Sequence, residues 1–287
     1  MATKARFLSE NIFNDIMFPT FTVSATEAAA GNEAWRVGTG RRLSLRNKWT
    51  PTTLNLEASI KCRTGASTLC DMIALDRGHN LAGQTIVLER SANDFVATTQ
   101  VFSITVPSAT VTDDDLQATP GVRTEEGAWV YAFTGATDQD WRLRIPAMGA
   151  NLKPEIVGLY LGRSYEPLYH LDLPFEDDDG ETFFDSVMSD TAWSAATRAA
   201  HRRTGAITLK LASEAEYTTN GARTHILENL MRDRRPTWFC PNQEQAEKTL
   251  LIRHAGGRYG FPRRQGWAHR QSTFRWVEHQ PLQQAAS

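Results

Sequence analysis

The chain has 287 residues, of which 41% are hydrophobic and 22% are charged. This composition is ordinary for a globular protein and excludes disordered, collagen-like and coiled-coil chains, and the length predicts two domains or one unusually large domain. No stretch approaches about 18 consecutive apolar residues, so we expect no membrane insertion. Charges at Lys4, Arg6 and Glu10 interrupt the N-terminal segment, so we expect no secretory signal and synthesis in the cytoplasm.

The net charge of −2 conceals a difference between two parts of the chain. Residues 1–197 have 16 basic and 26 acidic residues, a net charge of −10, whereas residues 198–275 have 15 basic and 6 acidic residues, a net charge of +9. A basic segment is one feature of nucleic-acid-binding proteins, but no RNP-type aromatic motif accompanies these arginines. The pattern therefore favours acidic surface packed against basic surface between subunits over nucleic acid as the partner.

Between residue 35 and about residue 160, short runs of alternating apolar and polar residues are separated by turn-forming residues. Such alternation is typical of strands with one buried face. The predicted strands are Leu54–Cys62, Gln84–Glu89, Gln100–Val106, Ala128–Phe133 and Trp141–Ile145. Several strands at this spacing predict a β-sandwich or jelly roll.

The second half combines strands with one helix. The predicted strands are Ala206–Leu211, Pro236–Cys240, Thr249–His254 and Ser272–Glu278. The helix is predicted over Ala222–Asp233, with a buried face formed by Ile226, Leu227, Leu230 and Met231. One helix packed against a strand-rich sheet is the simplest arrangement of these elements.

Two segments without periodicity, Val111–Gly127 and Pro174–Thr182, are predicted to be exposed loops. The second contains the acidic run Glu176–Glu181, and carboxylates are the ligands that Ca²⁺ prefers. The run lacks the alternate-residue spacing of an EF-hand loop, as does Asp113–Asp115. A solvated acidic loop is therefore favoured over a calcium site.

No catalytic motif is present: the sequence has no G-x-S-x-G elbow, no H-E-x-x-H pair and no phosphate-binding glycine loop. We therefore expect no enzyme, with no catalytic, cofactor-binding or metal-ligating residues and no cofactor. The cysteines Cys62, Cys70 and Cys240 lack zinc-site spacing and are predicted to be free buried thiols. A disulfide between Cys62 and Cys70 stays open, since these residues could face each other across neighbouring strands.

Eight tryptophans are distributed over both halves of the chain. They are Trp35, Trp49, Trp129 and Trp141 in the first half and Trp193, Trp238, Trp267 and Trp276 in the second. Core packing is the usual role of aromatic residues at strand positions. An exposed ring in a sandwich loop would instead suit stacking on a sugar, which keeps carbohydrate binding as a hypothesis.

Residues 49–92 contain Trp49, a strand at Leu54–Cys62, a His79-Asn80 loop and a strand at Thr85–Leu88, before the turn Ala92–Phe95. This order resembles the galactose-binding-like (discoidin-type) jelly roll, in which the turn has a Ser-x-Asp/Asn-Gly pattern. The segments Asp140–Ile145 and Ile156–Gly162 resemble the final strand pair of that module. The turn here lacks the usual glycine, and the resemblance implies a fold without transferring any sugar-binding residue.

Over the whole chain, the order of elements resembles structural proteins of tailed-bacteriophage tail tips and baseplates, which join a jelly roll to a small split barrel with one helix. The features that carry this resemblance are Arg202–Gly205, Ala206–Leu211, Glu214–Glu216, Ala222–Asp233, Pro236–Phe239 and Phe274–Glu278. The resemblance implies a distal-tail-like subunit of the virion tail, assembled in the host cytoplasm. Such a subunit forms a homo-oligomeric ring and contacts neighbouring tail and baseplate proteins.

We therefore predict a mainly β protein of two domains. Residues 1–160 form an N-terminal arm plus a jelly-roll sandwich, and residues 161–287 form a split β-barrel with one helix. The apolar residues of Phe7–Met17 should pack on the sandwich or on a neighbouring subunit. The alternative function is a carbohydrate-binding virion protein that recognises a host receptor, with a glycan as its partner.

Overall fold

The computed structural model describes residues 4–14, 22–30, 32–38, 48–112, 114–149, 151–168, 176–185, 198–219, 221–256 and 270–279. The strands are β1 (Arg6–Leu8), β2 (Thr22–Ala25), β3 (Ala58–Leu75), β4 (Thr85–Ser91), β5 (Thr99–Thr105), β6 (Val122–Arg123), β7 (Trp129–Ile145), β8 (Leu159–Gly162), β9 (Glu176–Asp185), β10 (Arg198–Leu211), β11 (Thr237–Cys240), β12 (Leu250–Gly256) and β13 (Arg270–Glu278). The helical segments are the 3₁₀-helices Ala34–Val37 and Gln243–Lys248, the α-helix Glu214–Thr218 and the π-helix Arg223–Arg232. The predicted mainly β class is confirmed. Among the described helices, none has the length and apolar composition needed to cross a membrane.

The chain divides into two compact units. The described residues of Met1–Glu166 and Thr237–Leu250 belong to unit 1, and those of Pro167–Pro236 and Leu251–Gln280 belong to unit 2. Residues 237–250 therefore group with unit 1, although they lie beyond the predicted boundary at residue 160.

Unit 1 is built on a sheet with the strand order β2-β3-β7-β4-β5, in which β8 also pairs with β3 and β6 with β7. The long strands β3 and β7 are antiparallel, with Ile60 opposite Leu143 near one end and Ile73 opposite Tyr131 near the other. Register shifts in β3 interrupt this ladder, and such bulges bend a strand. Side chains from both ends of the two strands enter one hydrophobic core, so the strands wrap around that core as in a sandwich.

The predicted strands of the first half overlap β3, β4, β5 and β7, but residues 54–57 of the predicted strand Leu54–Cys62 are not in a strand, because β3 begins at Ala58. The prediction of two separate strands, Ala128–Phe133 and Trp141–Ile145, is wrong, because both lie along the single continuous strand β7. The polar residues between them do not end the strand, since Thr137 and Asp138 remain paired with Leu69 and Thr68 of β3.

The N-terminal segment packs on unit 1, one of the two outcomes expected from its apolar pattern. Phe7, Leu8, Ile12 and Phe13 are buried. Strand β1 pairs with β11, with Phe7 opposite Phe239, and the Ile12 N–H donates to the Leu161 carbonyl at 2.8 Å. Ile16 and Met17 lie outside the described residues.

Unit 2 contains an open antiparallel sheet of described strands in the order β12-β13-β10-β9. The predicted loop Pro174–Thr182 is wrong over its described part, because residues from Glu176 onward form β9. Acidic residues are disfavoured in strands, so the sequence pattern alone indicated a loop. The partner strand overrides that preference, because β10 pairs antiparallel with β9, and the register places Asp185 opposite Arg198 and Glu181 opposite Arg202.

The predicted helix Ala222–Asp233 forms as a π-helix, in which the Asp233 N–H donates to the Glu228 carbonyl five residues earlier. Ile226, Leu230 and Met231 are buried as predicted. Leu227 is only half-buried, so this part of the predicted buried face is wrong.

The expectation of a single helix in the second half is too simple. The acidic residues Glu214 and Glu216 lie in a short α-helix, which begins after Ser213. The Ser213 hydroxyl accepts a hydrogen bond from the Glu216 N–H at 3.1 Å, as an N-cap does. Glu216 itself is buried, and its carboxylate accepts hydrogen bonds from the N–H groups of Leu168 and Ala212.

Candidate functional site

The described tryptophans are mainly core residues. Trp49, Trp129, Trp141, Trp238 and Trp276 are buried. Only Trp35, on the 3₁₀-helix Ala34–Val37, is exposed among the tryptophans that the structure describes, with 54% relative accessibility. Trp193 and Trp267 lie outside the described residues. Sugar stacking on the buried rings is therefore excluded in this conformation.

The cysteines are free and buried, which confirms the prediction of unpaired thiols. The Cys62 thiol donates to the Ile12 carbonyl at 2.8 Å. Burial raises the pKa of all three thiols, and that of Cys240 reaches about 12. These thiols are therefore protonated at neutral pH, unlike the reactive thiolates of redox and catalytic cysteines.

The strands β3, β7 and β4 have a charged face directed away from the hydrophobic core. Side chains alternate along a strand, so the neighbours of core residues such as Ile60, Trp141 and Leu143 face outward. We call this the outer charged face, formed by Lys61, Arg63, Glu89, Asp140, Arg142 and Arg144. In the register, Arg142 lies opposite Lys61 on one side and opposite Glu89 on the other.

Glu89 is the central acceptor of the outer charged face. Its side chain is only 8% exposed, and it accepts hydrogen bonds from the Arg142 Nε at 2.7 Å and from the Arg144 Nε at 3.0 Å. Arg144 also donates to the Glu57 carboxylate at 2.9 Å. Hydrogen bonds between ionised groups are strong and directional, so the two guanidinium groups have fixed orientations.

The half-buried Phe95 ring lies against two cations of this face. The Arg142 guanidinium carbon is 4.4 Å from the ring centroid, and the Lys61 ammonium nitrogen is 5.4 Å from it. Both distances fall within the range of cation–π attraction. Phe95 belongs to the connection between β4 and β5, so a loop residue completes a site whose other members lie on strands.

The backbone that holds Phe95 is in an uncommon conformation. Asp94 and Phe95 have φ angles of 54° and 64°, and the Val96 N–H donates to the Asn93 carbonyl at 3.3 Å. Two successive positive φ angles within such a bond are typical of a type I′ turn, which favours glycine, asparagine or aspartate. A bulky residue in this region costs on the order of 1–3 kcal/mol.

Hydrogen bonds compensate for this strain. The Ser91 hydroxyl accepts from the N–H groups of Asn93 and Phe95 at 3.1 and 3.0 Å. The Asp140 Oδ2 accepts from the Asp94 N–H at 2.8 Å, while its Oδ1 lies 3.0 Å from the Arg63 Nε. The turn is therefore anchored to the same strand, β7, that supplies Arg142.

The sequence identified the turn Ala92–Phe95 and its missing glycine but assigned it no function. The missing glycine in this turn was the only sign in the sequence that the turn has an unusual role. The contact of Phe95 with Lys61 and Arg142 could not be predicted, because it depends on strand register. The His79-Asn80 loop has an internal role instead. The Asn80 side chain donates to the Lys153 carbonyl and accepts from the Glu155 N–H.

His79 is neutral in this loop. Its Nδ1 accepts from the Leu81 N–H at 3.1 Å, and burial, together with the nearby Arg123, lowers its pKa to about 4. No group of three His, Cys, Asp or Glu side chains in the described part of the chain is arranged to hold a metal ion. The side chains of Glu176–Glu181 and residue Asp113 fall outside the described set, so the preference against calcium there stays a prediction.

Comparison with known proteins finds matches among solved structures. No protein-family model and no curated protein matches the chain. A chitosan-binding module 1 derived from a chitosanase/glucanase of Paenibacillus sp. IK-5 is 16% identical, with a TM-score of 0.39 and coverage of 54% of this chain and 99% of that chain. A family 32 carbohydrate-binding module of C. perfringens NanJ, in complex with galactose, is 15% identical, with a TM-score of 0.37 and coverage of 49% and 92%.

A Ruminococcus gnavus GH29 fucosidase in complex with fucose is 12% identical, with a TM-score of 0.38, and the match covers 54% of this chain and 27% of the fucosidase chain. The structural neighbours are thus carbohydrate-binding modules and a glycoside hydrolase. None of the compared proteins described above is a phage tail protein. The ring-forming tail subunit, its virion location and the absence of enzymatic activity stay predictions.

Proposed function

We propose that this protein binds a carbohydrate at the outer charged face, with the Phe95 ring packed on one face of a sugar. The observation that carries the proposal is a half-buried aromatic ring held in a strained turn beside fixed hydrogen-bonding side chains. Sugar rings have C–H faces that pack on aromatic rings and hydroxyl groups that pair with charged side chains. The Phe95 ring and the Arg142 guanidinium supply these complementary groups within 4.4 Å of each other.

The site is organised before any ligand arrives. Glu89 orients Arg142 and Arg144, and the Ser91 hydroxyl orients the backbone on which Phe95 lies. Because these groups are already ordered in the folded protein, binding loses less conformational entropy. Such preorganisation is needed for weak ligands such as sugars, which bury little apolar surface.

Backbone strain supports a role for Phe95 beyond closing the hairpin. For chain reversal alone, glycine or asparagine has a lower conformational energy at this position. A phenylalanine with φ of 64° retains that energetic cost while presenting its ring at the outer charged face. Strain of this kind concentrates at functional sites.

The proposal is tested by glycan-array binding followed by calorimetry on wild-type protein and two turn variants. Phe95→Ala removes the ring and should weaken glycan binding at least tenfold. Val96→Ala is the matched control, because Val96 is the next residue of the same turn and is 87% exposed. Val96→Ala should change the dissociation constant by no more than about twofold, because a single exposed apolar side chain is ordinary on a protein surface and does not by itself mark a binding site.

Three results would contradict the proposal. The first is wild-type protein that binds no glycan. The second is equal loss in the Phe95→Ala and Val96→Ala variants, which would indicate a non-specific apolar loop tip. The third is binding that survives Phe95→Ala but is lost in Trp35→Ala, which would place the sugar at the exposed tryptophan expected from the sequence.

A further inference from the structure

The outer charged face has more positive than negative charge. Its cations are Lys61, Arg63, Arg142 and Arg144, and its carboxylates are Glu89 and Asp140; Glu57 beside it pairs with Arg144 at 2.9 Å, which leaves one cation in excess. Glu89 pairs with both Arg142 and Arg144, while Asp140 lies beside Arg63. These contacts account for three of the four cations, and Lys61 is the fourth.

Lys61 has no acidic partner among the residues that the structure describes. No carboxylate in the described part of the chain lies within ion-pair distance of its ammonium group, and its contact on this face is the Phe95 ring. The register also places Lys61 directly opposite Arg142 on the neighbouring strand. Like charges at paired positions destabilise a sheet, so this arrangement is unfavourable in the unliganded protein.

A ligand anion would remove this imbalance. The Lys61 ammonium group has three N–H donors, and it lies 5.4 Å from the centre of the ring on which the sugar is proposed to pack. Building on the proposed function, we infer that the carbohydrate is acidic, with a carboxylate or sulfate group that pairs with Lys61 beside the Phe95 ring. Arg63, with 49% of its side chain exposed, borders the same position.

A single sugar-sized position fits the geometry better than a nucleic-acid track. Two cations of this face, Lys61 and Arg142, lie against one aromatic ring, and Glu89 and Asp140 pair with the arginines. A nucleic-acid surface instead carries many uncompensated cations along a path of phosphates. The structure thus favours one anionic group next to one ring.

The inference is tested by calorimetry with three tetrasaccharides: galacturonic acid, sulfated galactose and neutral galactose. Wild-type protein should bind at least one acidic tetramer ten times more tightly than the neutral one, and the two acidic arms identify carboxylate or sulfate. This preference should shrink between 50 and 500 mM NaCl, where the Debye length falls from about 14 to about 4 Å.

Lys61→Gln should reduce the acidic preference to within about threefold, because the affinity for the acidic tetramer should fall much more than the affinity for the neutral one. Lys153→Gln is the matched control, because Lys153 is another half-buried lysine of unit 1 and lies in the loop held by Asn80. It should retain the wild-type preference. If the Lys61 variant does not fold, the comparison of acidic with neutral tetramers on the wild-type protein still tests the inference.

The outcomes separate this inference from the proposed function. Equal binding of neutral and acidic tetramers, lost in Phe95→Ala, would overturn the acidic ligand and keep carbohydrate binding. Absence of binding to every glycan would overturn both. Tighter binding of a single-stranded DNA tetramer than of either acidic tetramer would also overturn the inference and identify a nucleic-acid surface.

Discussion

The two faces of strand β7 differ in what they contribute to the protein. Trp141, Leu143 and Ile145 are fully buried in the core, whereas the alternating residues Arg142 and Arg144 face outward. A register slip of one residue would exchange these sets and bury two guanidinium groups. The inner face therefore determines register and fold, and the outer face is available for recognition.

The difference is also energetic. Complete burial of a large apolar side chain contributes about 1.5–3 kcal/mol. A solvent-exposed ion pair contributes about 0–1 kcal/mol, so most outer-face charges add little to stability. Substitutions should therefore separate into those that unfold the protein and those that change what it binds.

The largest expected effect is on the inner face. Leu143→Ala should lower the free energy of unfolding by about 2–5 kcal/mol, because it leaves a cavity in the core of unit 1. Denaturant titration of wild-type and variant protein measures the change. A loss of unfolding free energy below about 1 kcal/mol would show that the inner face of β7 does not dominate stability.

Burial in unit 1 also acts on a titratable group, His79. Its pKa is 6.5 in the unfolded chain and about 4 in the folded protein, so protons bind preferentially to the unfolded chain. Stability from this group is present above pH 6.5 and is lost as the pH falls towards 4, by up to about 3 kcal/mol.

His79→Asn isolates that contribution, because its side-chain oxygen can still accept from the Leu81 N–H. The stability difference between wild type and variant should change between pH 7 and pH 4, with the wild type losing more. Parallel stability curves over this range would show that His79 titrates normally.

Replacing Glu89 should have an intermediate effect on stability, because Glu89 is a buried carboxylate on the outer charged face. Glu89→Gln should lower the free energy of unfolding by about 1–2 kcal/mol, because Arg142 and Arg144 lose their shared negative charge. Both arginines keep solvent contact, with 21% and 25% exposed side chains, so the loss is smaller than for a fully buried pair. A thermal melt showing an unchanged midpoint would place Glu89 among the energetically neutral surface charges.

The smallest expected effect is a gain of stability. Asp94→Gly should raise the free energy of unfolding by at most about 0.5 kcal/mol, because glycine adopts the positive φ without steric cost whereas aspartate is already tolerated in this turn. Glycan binding should stay within about twofold of wild type, since the Phe95 ring is retained. Denaturant titration that shows destabilisation would contradict the assignment of strain to this turn.

The features of the fold that depend on the local alternation of apolar and polar residues could be predicted from the sequence. Strands β4, β5, β12 and β13 and the last part of β10, Ala206–Leu211, were predictable because each has a short run rich in apolar residues. The burial of the N-terminal Phe7, Leu8, Ile12 and Phe13 followed from hydrophobicity alone. These features depend on side-chain transfer from water, which is a property of each residue and its spacing.

The features that depend on contacts between residues distant in the chain became visible only in the folded protein. The acidic segment Glu176–Asp185 became a strand because β10 supplies its hydrogen bonds, and β7 stayed continuous because β3 pairs along it. The candidate site joins Phe95 to Lys61 and Arg142, which are 34 and 47 positions away in the sequence. Strand register and a strained turn bring these residues together, and neither leaves a periodic pattern in the sequence.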